Sequence, residues 1–161
     1  MREMRRHDRQ LTEAETLEII KQGEYGVLCT VTTEGLPYGV PISYALDEGA
    51  NVIYFHGTIQ EGQKTDNLAH QPQACLTIVP QTELMPEKFA TKYWSANVFG
   101  PVFDVSDEAE KRHGLECILK KYAHDYLEQG EKYIDSTIGR ARVMKMTIQS
   151  ITGQSLFPCD S

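Results

Sequence analysis

No stretch of this 161-residue chain approaches the roughly 18 consecutive apolar residues of a membrane-spanning helix. Mean hydropathy is −0.41, so a membrane is not an expected partner. The first residues, MREMRRHDRQ, have no apolar segment behind them and do not read as a secretory signal. Positive charge is also scarce: 16 Lys and Arg face 23 Asp and Glu, a net charge of −7. Nucleic-acid backbones are held by clustered basic side chains, so that class of partner is not expected either. The one basic cluster, Arg2, Arg5, Arg6 and Arg9, reads as a solvated arm or as a partner-binding arm.

Cysteine is sparse and unpaired in pattern. Cys29, Cys75, Cys117 and Cys159 form no C-x-x-C motif, and none has histidines at zinc spacing, so no metal is expected. Cys29 and Cys75 sit in apolar runs, where a thiol acts as a small hydrophobe. A reduced, cytoplasmic setting is the expectation. There is no G-x-x-x-x-G-K-[ST] loop, no Ser-His-Asp arrangement and no carboxylate pair suited to hydrolysis. No internal repeat or linker interrupts the chain, so one domain over 1–161 is expected.

What is present is mostly strand. TEAETLEIIKQ (12–22) opens with a Thr12/Glu15 capping box and is stopped by Gly23, a helix. GVLCTVTT (26–33), YGVPISYAL (38–46) and NVIYFH (51–56) follow with tight turns between them and read as an antiparallel meander. Pro41 argues for an edge strand or a bulge. A helix over about 61–70, a strand at 74–80, a loop at 81–90 and a strand at 92–106 bent at Gly100-Pro101 come next. A helix from 107 to about 123 is marked by a second capping box, Asp107 with Glu110, and contains Gly114. A short helix (131–138) and a last alternating strand (140–153) complete the chain. About six strands with few helices suggest a small closed or partly closed barrel.

VIYFHGTIQEGQKTDNLAHQP (52–72) carries the chemistry. A strand ends in His56-Gly57, and a helix opens on Gly62, Gln63 and Lys64. The first turn of a helix has free N–H groups and a partial positive charge, which attract an anion. Lys64 adds a full charge there, and the glycines allow close backbone approach. The plain alternative is a solvated first-turn lysine, although lysine there opposes the helix dipole.

Taken together, RRHDRQLT, GEYGVLCTV, GLPYGVPISYAL, IYFHGTIQEGQKTDNL, ACLTIV and YWSANVFG resemble the pyridoxamine 5′-phosphate oxidase-like superfamily, in particular its branch of 5-nitroimidazole-resistance, nitroreductase-like proteins. The similarity spans about residues 1–153. It implies a mainly β fold with flanking helices, a six-stranded antiparallel split β-barrel. It also implies a homodimer with FMN (FAD possible) at the interface, and reduction of a small organic acceptor by electrons from NAD(P)H. Carried onto this sequence, the resemblance gives the flavin phosphate to Gly62, Lys64 and Asn67. His56, with Gly57, would stand near the ring as proton donor or substrate holder, the imidazole being suited to proton transfer near neutral pH. Val40, Pro41, Ile42 and Ser43 would border the ring, Thr30 and Tyr38 lie on strands facing it, and Ser95 falls near it. Each also has an ordinary reading as a barrel position. Arg140 and Arg142 read as a solvent face or as phosphate contacts. The basic C-terminal signature of the oxidase proper is not visible in SLFPCDS, which argues against a vitamin B6 role. A non-catalytic flavin or haem carrier, with His56 as axial ligand, is the competing reading.

Overall fold

The computed structural model describes residues 4–156, so Arg2 and Cys159 lie outside the described residues. Helix α1 is Glu13–Gln22, and the anticipated box closes it: Thr12 Oγ1 accepts from the Glu15 N–H at 3.3 Å, while the Glu15 carboxylate accepts from the Thr12 N–H at 2.7 Å. Its apolar stripe, Ile19 and Ile20, is buried. Gly23 ends α1 in extended backbone rather than the left-handed cap. Glycine is needed there for space, because a Cβ would lie 2.4 Å from Ile78 Cγ2 and 2.5 Å from Tyr44 Oη.

Nine strands occur among the described residues: β1 (Gly26–Val31), β2 (Pro37–Ile42), β3 (Tyr44–Asp47), β4 (Val52–Thr58), β5 (Gln73–Ile78), β6 (Thr82–Met85), β7 (Ala90–Asp104), β8 (Ala141–Thr147) and β9 (Ser150–Ser155). The three helices besides α1 are α2 (Gln63–His70), α3 (Glu108–Tyr122) and α4 (Leu127–Thr137). The class is as expected, but the strand count is nine rather than six. The run 38–46 breaks at the exposed Ser43 into β2 and β3. The run 140–153 divides into β8 and β9, and the stretch read as a loop contains β6, hairpinned to β7. β6 escapes notice because Thr82, Glu83 and Leu84 are all exposed, so no alternation marks it.

The sheet runs β2-β1-β5-β7-β8-β4-β3, all pairs antiparallel. The expected meander is therefore not formed: β2 and β3, consecutive in the chain, stand at opposite ends of this path. Their link through Ser43 draws the two ends together and curls the sheet into a barrel. Pro41 fits because β2 has only β1 as a neighbour, and the missing N–H costs no central ladder bond. The barrel is filled by Leu28, Tyr44, Ile53, Phe55, Leu76, Ile78, Val98 and Met146. β7 crosses the loop after β8 so closely that a Cβ on Gly100 would overlap the Thr147 carbonyl.

A second, smaller core lies outside the barrel. Leu115 of α3 and Ile134 of α4 pack on Tyr54 of β4 and Val143 of β8. Gly114 is unfavourable in a helix interior. Here it lets α3 approach the sheet, since a Cβ would sit 2.8 Å from Tyr54 Cδ1. Asp107 caps α3 by accepting from the Glu110 N–H at 2.8 Å. The reciprocal half of the expected box is replaced: the Glu110 carboxylate instead accepts from the Tyr54 hydroxyl at 3.3 Å and from Lys145 Nζ.

Candidate functional site: a cationic hollow at the mouth of α2

β4 is buried on both faces. Strand alternation puts Val52, Tyr54 and His56 on one side and Ile53, Phe55 and Gly57 on the other. The first set faces the outer core and the second the barrel, where Ile53 and Phe55 are fully buried. At the end of the barrel-facing row, Gly57 leaves a gap. A Cβ there would come 3.9 Å from the Lys64 ammonium. In the neighbouring strand the residue paired with Gly57 is Arg142.

These residues form a hollow of about 220 Å³, lined by Gly57, Gly62, Lys64 and Arg142 with Tyr38 and Met144. It adjoins a smaller one of about 130 Å³ between α2 and β7, which shares Arg142 and Met144 and includes Asp104. Arg142 is fixed by a two-point contact, its Nε and Nη2 donating to the two Asp104 carboxylate oxygens at 2.7 and 2.6 Å. Lys64 is half-buried and makes no ion pair among the described residues. Burial, and then the nearby Arg142 charge, hold its ammonium below the usual lysine range. Two like charges thus meet, and the Asp104 carboxylate is committed to Arg142, so an added anion would relieve the cost at Lys64.

α2 is built for the same purpose. Gly62 precedes it in extended backbone, with open space where a side chain would stand. Thr65 bonds back, its hydroxyl accepting from the Gly62 N–H at 2.9 Å. The N–H groups of Gln63 and Lys64, in the first turn, have no acceptor in a preceding turn. The donor set therefore fits a singly or doubly charged phosphate.

The remaining residues singled out in the sequence are distributed unevenly. Gly57, Gly62, Lys64 and Tyr38 come together, and Arg142 joins them. Asn67 is fully buried, its amide N–H donating to the Thr30 hydroxyl at 2.9 Å and its carbonyl accepting from Gln63 at 2.7 Å. That pair fastens α2 to β1 from inside. Val40 and Ile42 face the core, whereas Pro41 and Ser43 are exposed at the seam between β2 and β3. Ser95 lies on β7 opposite Gln154, donating to its carbonyl at 3.4 Å, and lines neither hollow. His56 is exposed on the opposite face of β4 from Gly57, so the structure does not bring it together with Lys64. Arg140 is exposed in a 3₁₀ turn before β8. Trp94 packs partly against the barrel core.

The architecture has known counterparts. The family model for pyridoxamine 5′-phosphate oxidase matches residues 12–155. The chain belongs to that family. Its structure is similar to that of a candidate 5-nitroimidazole antibiotic resistance protein from Bacteroides thetaiotaomicron, at 25% identity, TM-score 0.76, and coverage of 91% of this chain and 86% of that one. It also matches a flavocytochrome from Azotobacter vinelandii, at 20% identity, TM-score 0.79, and coverage of 96% and 72%. A third match is an FAD- and haem-binding protein from Mycobacterium smegmatis, at 15% identity, TM-score 0.77, and coverage of 91% and 73%. No curated protein matches the chain in sequence. Among the described residues no helix is long and apolar enough to cross a membrane.

Proposed function

We propose that this family member is a flavin-binding oxidoreductase, holding FMN by its phosphate in the hollow between β4, β8 and α2. The observation that carries the reading is the half-buried, unpaired Lys64 beside the glycine gap at Gly57. Lys64 and the first N–H groups of α2 hold the phosphate. Arg142, kept in place by Asp104, borders the same space. When bound, the flavin supplies two-electron transfer from a nicotinamide to a small organic acceptor such as a nitroimidazole. Tyr38 and Met144 shield the phosphate end from water.

The volume supports a dimer. Whole-ligand pockets usually enclose about 300–1,000 Å³, so a hollow of about 220 Å³ takes a phosphate tail and leaves the ring outside. The outer face of β1, β5 and β7 presents Val27, Cys29, Cys75, Thr77, Asn97 and Phe99, all partly exposed and none charged. A second copy placed there would cover this face and complete the ring site.

A second reading, flavin or haem binding without turnover, is favoured by one observation. With His56 on the far face of β4, no histidine or carboxylate lines the hollow. The test is to incubate the purified protein with excess FMN, remove unbound ligand, and record the visible spectrum and NAD(P)H oxidation. One retained flavin per chain, with turnover above that of free flavin, is expected. Turnover equal to free flavin selects the carrier reading, and a colourless protein overturns both.

A further inference from the structure

Opposite the flavin hollow, at the start of β4, three unlike side chains converge. Asp47 ends β3, and His113 and Cys117 lie one turn apart on the outer stretch of α3. Their ligand atoms all fall within 4.8 Å of one another. His113 Nε2 is 2.6 Å from Asp47 Oδ2 and 3.6 Å from Cys117 Sγ. This cluster departs from the expectation of no metal. His113 and Cys117 match no C-x-x-C or paired-histidine motif, yet their four-residue step stacks the two side chains on one face of a helix.

Two chemistries use cysteine, histidine and aspartate together. In a proton relay the thiol and the carboxylate engage different ring nitrogens. Here both approach the same one, Nε2. That geometry excludes a relay and suits three donors aimed at one point. In a tetrahedral zinc site with bonds of about 2.0–2.3 Å, neighbouring nitrogen and sulfur ligands stand about 3.6 Å apart, and nitrogen and oxygen about 3.3 Å. The sulfur distance already fits. The carboxylate must move by about 0.7 Å, which the half-exposed His113 ring permits.

The surroundings orient the ligands. Asp47 Oδ1 accepts from the Ala50 N–H at 3.2 Å, leaving Oδ2 for the shared point. The Tyr54 ring meets His113 edge-on, with centroids 5.8 Å apart. Imidazole, thiolate and carboxylate together select a borderline-soft divalent ion.

We infer that Asp47, His113 and Cys117 form a site for Zn²⁺ or a similar transition ion, with water in the fourth position, which ties α3 to the β3–β4 turn. Binding displaces the thiol proton to solvent, so uptake weakens as pH falls. Tyr54 and Gly57 are three residues apart on β4, about 10 Å, so the metal and flavin sites are separate.

The test is a Zn²⁺ titration of the full chain against a chromophoric chelator, with Co²⁺ difference spectra alongside. One Zn²⁺ per chain is expected. Affinity should fall at least about tenfold in Asp47→Asn and further in His113→Asn or Cys117→Ser. The Co²⁺ complex should show a sulfur charge-transfer band that Cys117→Ser lacks. Melting temperature should rise by roughly 5–10 °C at a hundredfold excess over Kd. Far-UV circular dichroism of each variant without metal establishes that its fold is intact. No uptake by the wild type, or uptake unchanged in Cys117→Ser, would overturn the site.

Discussion

Helices α2 and α3 begin in opposite ways, and the contrast locates function. α3 has its own anion: the Asp107 side chain caps its first turn, and Glu108 and Glu110 follow. α2 has a glycine at the same position, then Lys64 in the first turn, with Asp66 as its acid. Acid at a helix N-terminus stabilises it, and a cation there does the reverse. The mouth of α3 is thus capped by the protein itself, whereas that of α2 has no side-chain cap and holds a half-buried cation beside a gap. A capped helix end serves the fold. An uncapped one beside a cavity is suited to a ligand.

The largest test converts one mouth into the other. Lys64→Glu should weaken FMN binding about a hundredfold, since charge-assisted bonds contribute about 1.5–3 kcal/mol and repulsion adds to the loss. The same change should leave the flavin-free protein as stable or slightly more stable, by about 0.5 kcal/mol. Flavin titration and thermal melting measure the two effects. Affinity within threefold of wild type would remove the phosphate assignment.

A second cation sharpens the comparison from the α3 side. Lys121 Nζ is buried without a hydrogen-bond partner, 3.6 Å from the centroid of the Tyr44 ring. Burial pulls its ammonium down to about 8. The folded pKa lies below the unfolded one, so the fold penalises the charged form. That penalty is fully present below about pH 8. It is relieved as pH rises through 8 toward 10.5, where the unfolded chain also loses the proton. Tyr44 and Tyr122, whose phenols burial pushes upward, and the half-buried Cys75 and Cys117 thiols, also raised, lose stability at higher pH. The informative quantity is therefore the difference between wild type and Lys121→Met. Wild type should gain on the variant by about 1–2 kcal/mol between those pH values. A parallel pair of pH–stability curves would show that Tyr44 and water already solvate the charge.

Removing the anion that α3 carries completes the pair. Asp107→Ala should cost about 1 kcal/mol, the usual value of an N-cap, and lower Tm by roughly 2–4 °C. FMN affinity should not change. A loss of flavin binding would mean that the two helix ends are coupled and that the contrast between them is not one of fold against function.

How far the residues themselves declared these features depends on their range in the chain. Thr12 and Glu15 are three apart, and their box was readable because capping is local. Pro41 pointed to an edge or a bulge because it lacks an N–H, a property of one residue, and the edge is what forms. The opening of α2 on Gly62 and Lys64 was readable for the same reason. The register that sets Gly57 opposite Arg142 was not, because it joins strands separated in the chain by three helices and three other strands. Nor was the inward turn of Asn67, whose amide faces Thr30 37 residues earlier. The 66-residue separation of Asp47 and His113 likewise hid their contact. The seam at Ser43 was masked because β2 and β3 are both β-rich, with nothing local to show that they part company.

His56 provides the smallest and most discriminating test. Strand alternation alone was enough to separate it from Gly57, since adjacent residues point to opposite faces. A flavin held by Lys64 should therefore bind His56→Ala within about twofold of wild type, well under 1 kcal/mol. Turnover then separates two arrangements. If the ring stays on the Gly57 side of β4, NAD(P)H oxidation by the variant should match wild type. If a second copy wraps the ring around the strand end to the Tyr54 side, the imidazole comes within reach and kcat should fall while flavin affinity holds. Loss of both together would place the flavin itself on the His56 face and overturn the site at the mouth of α2.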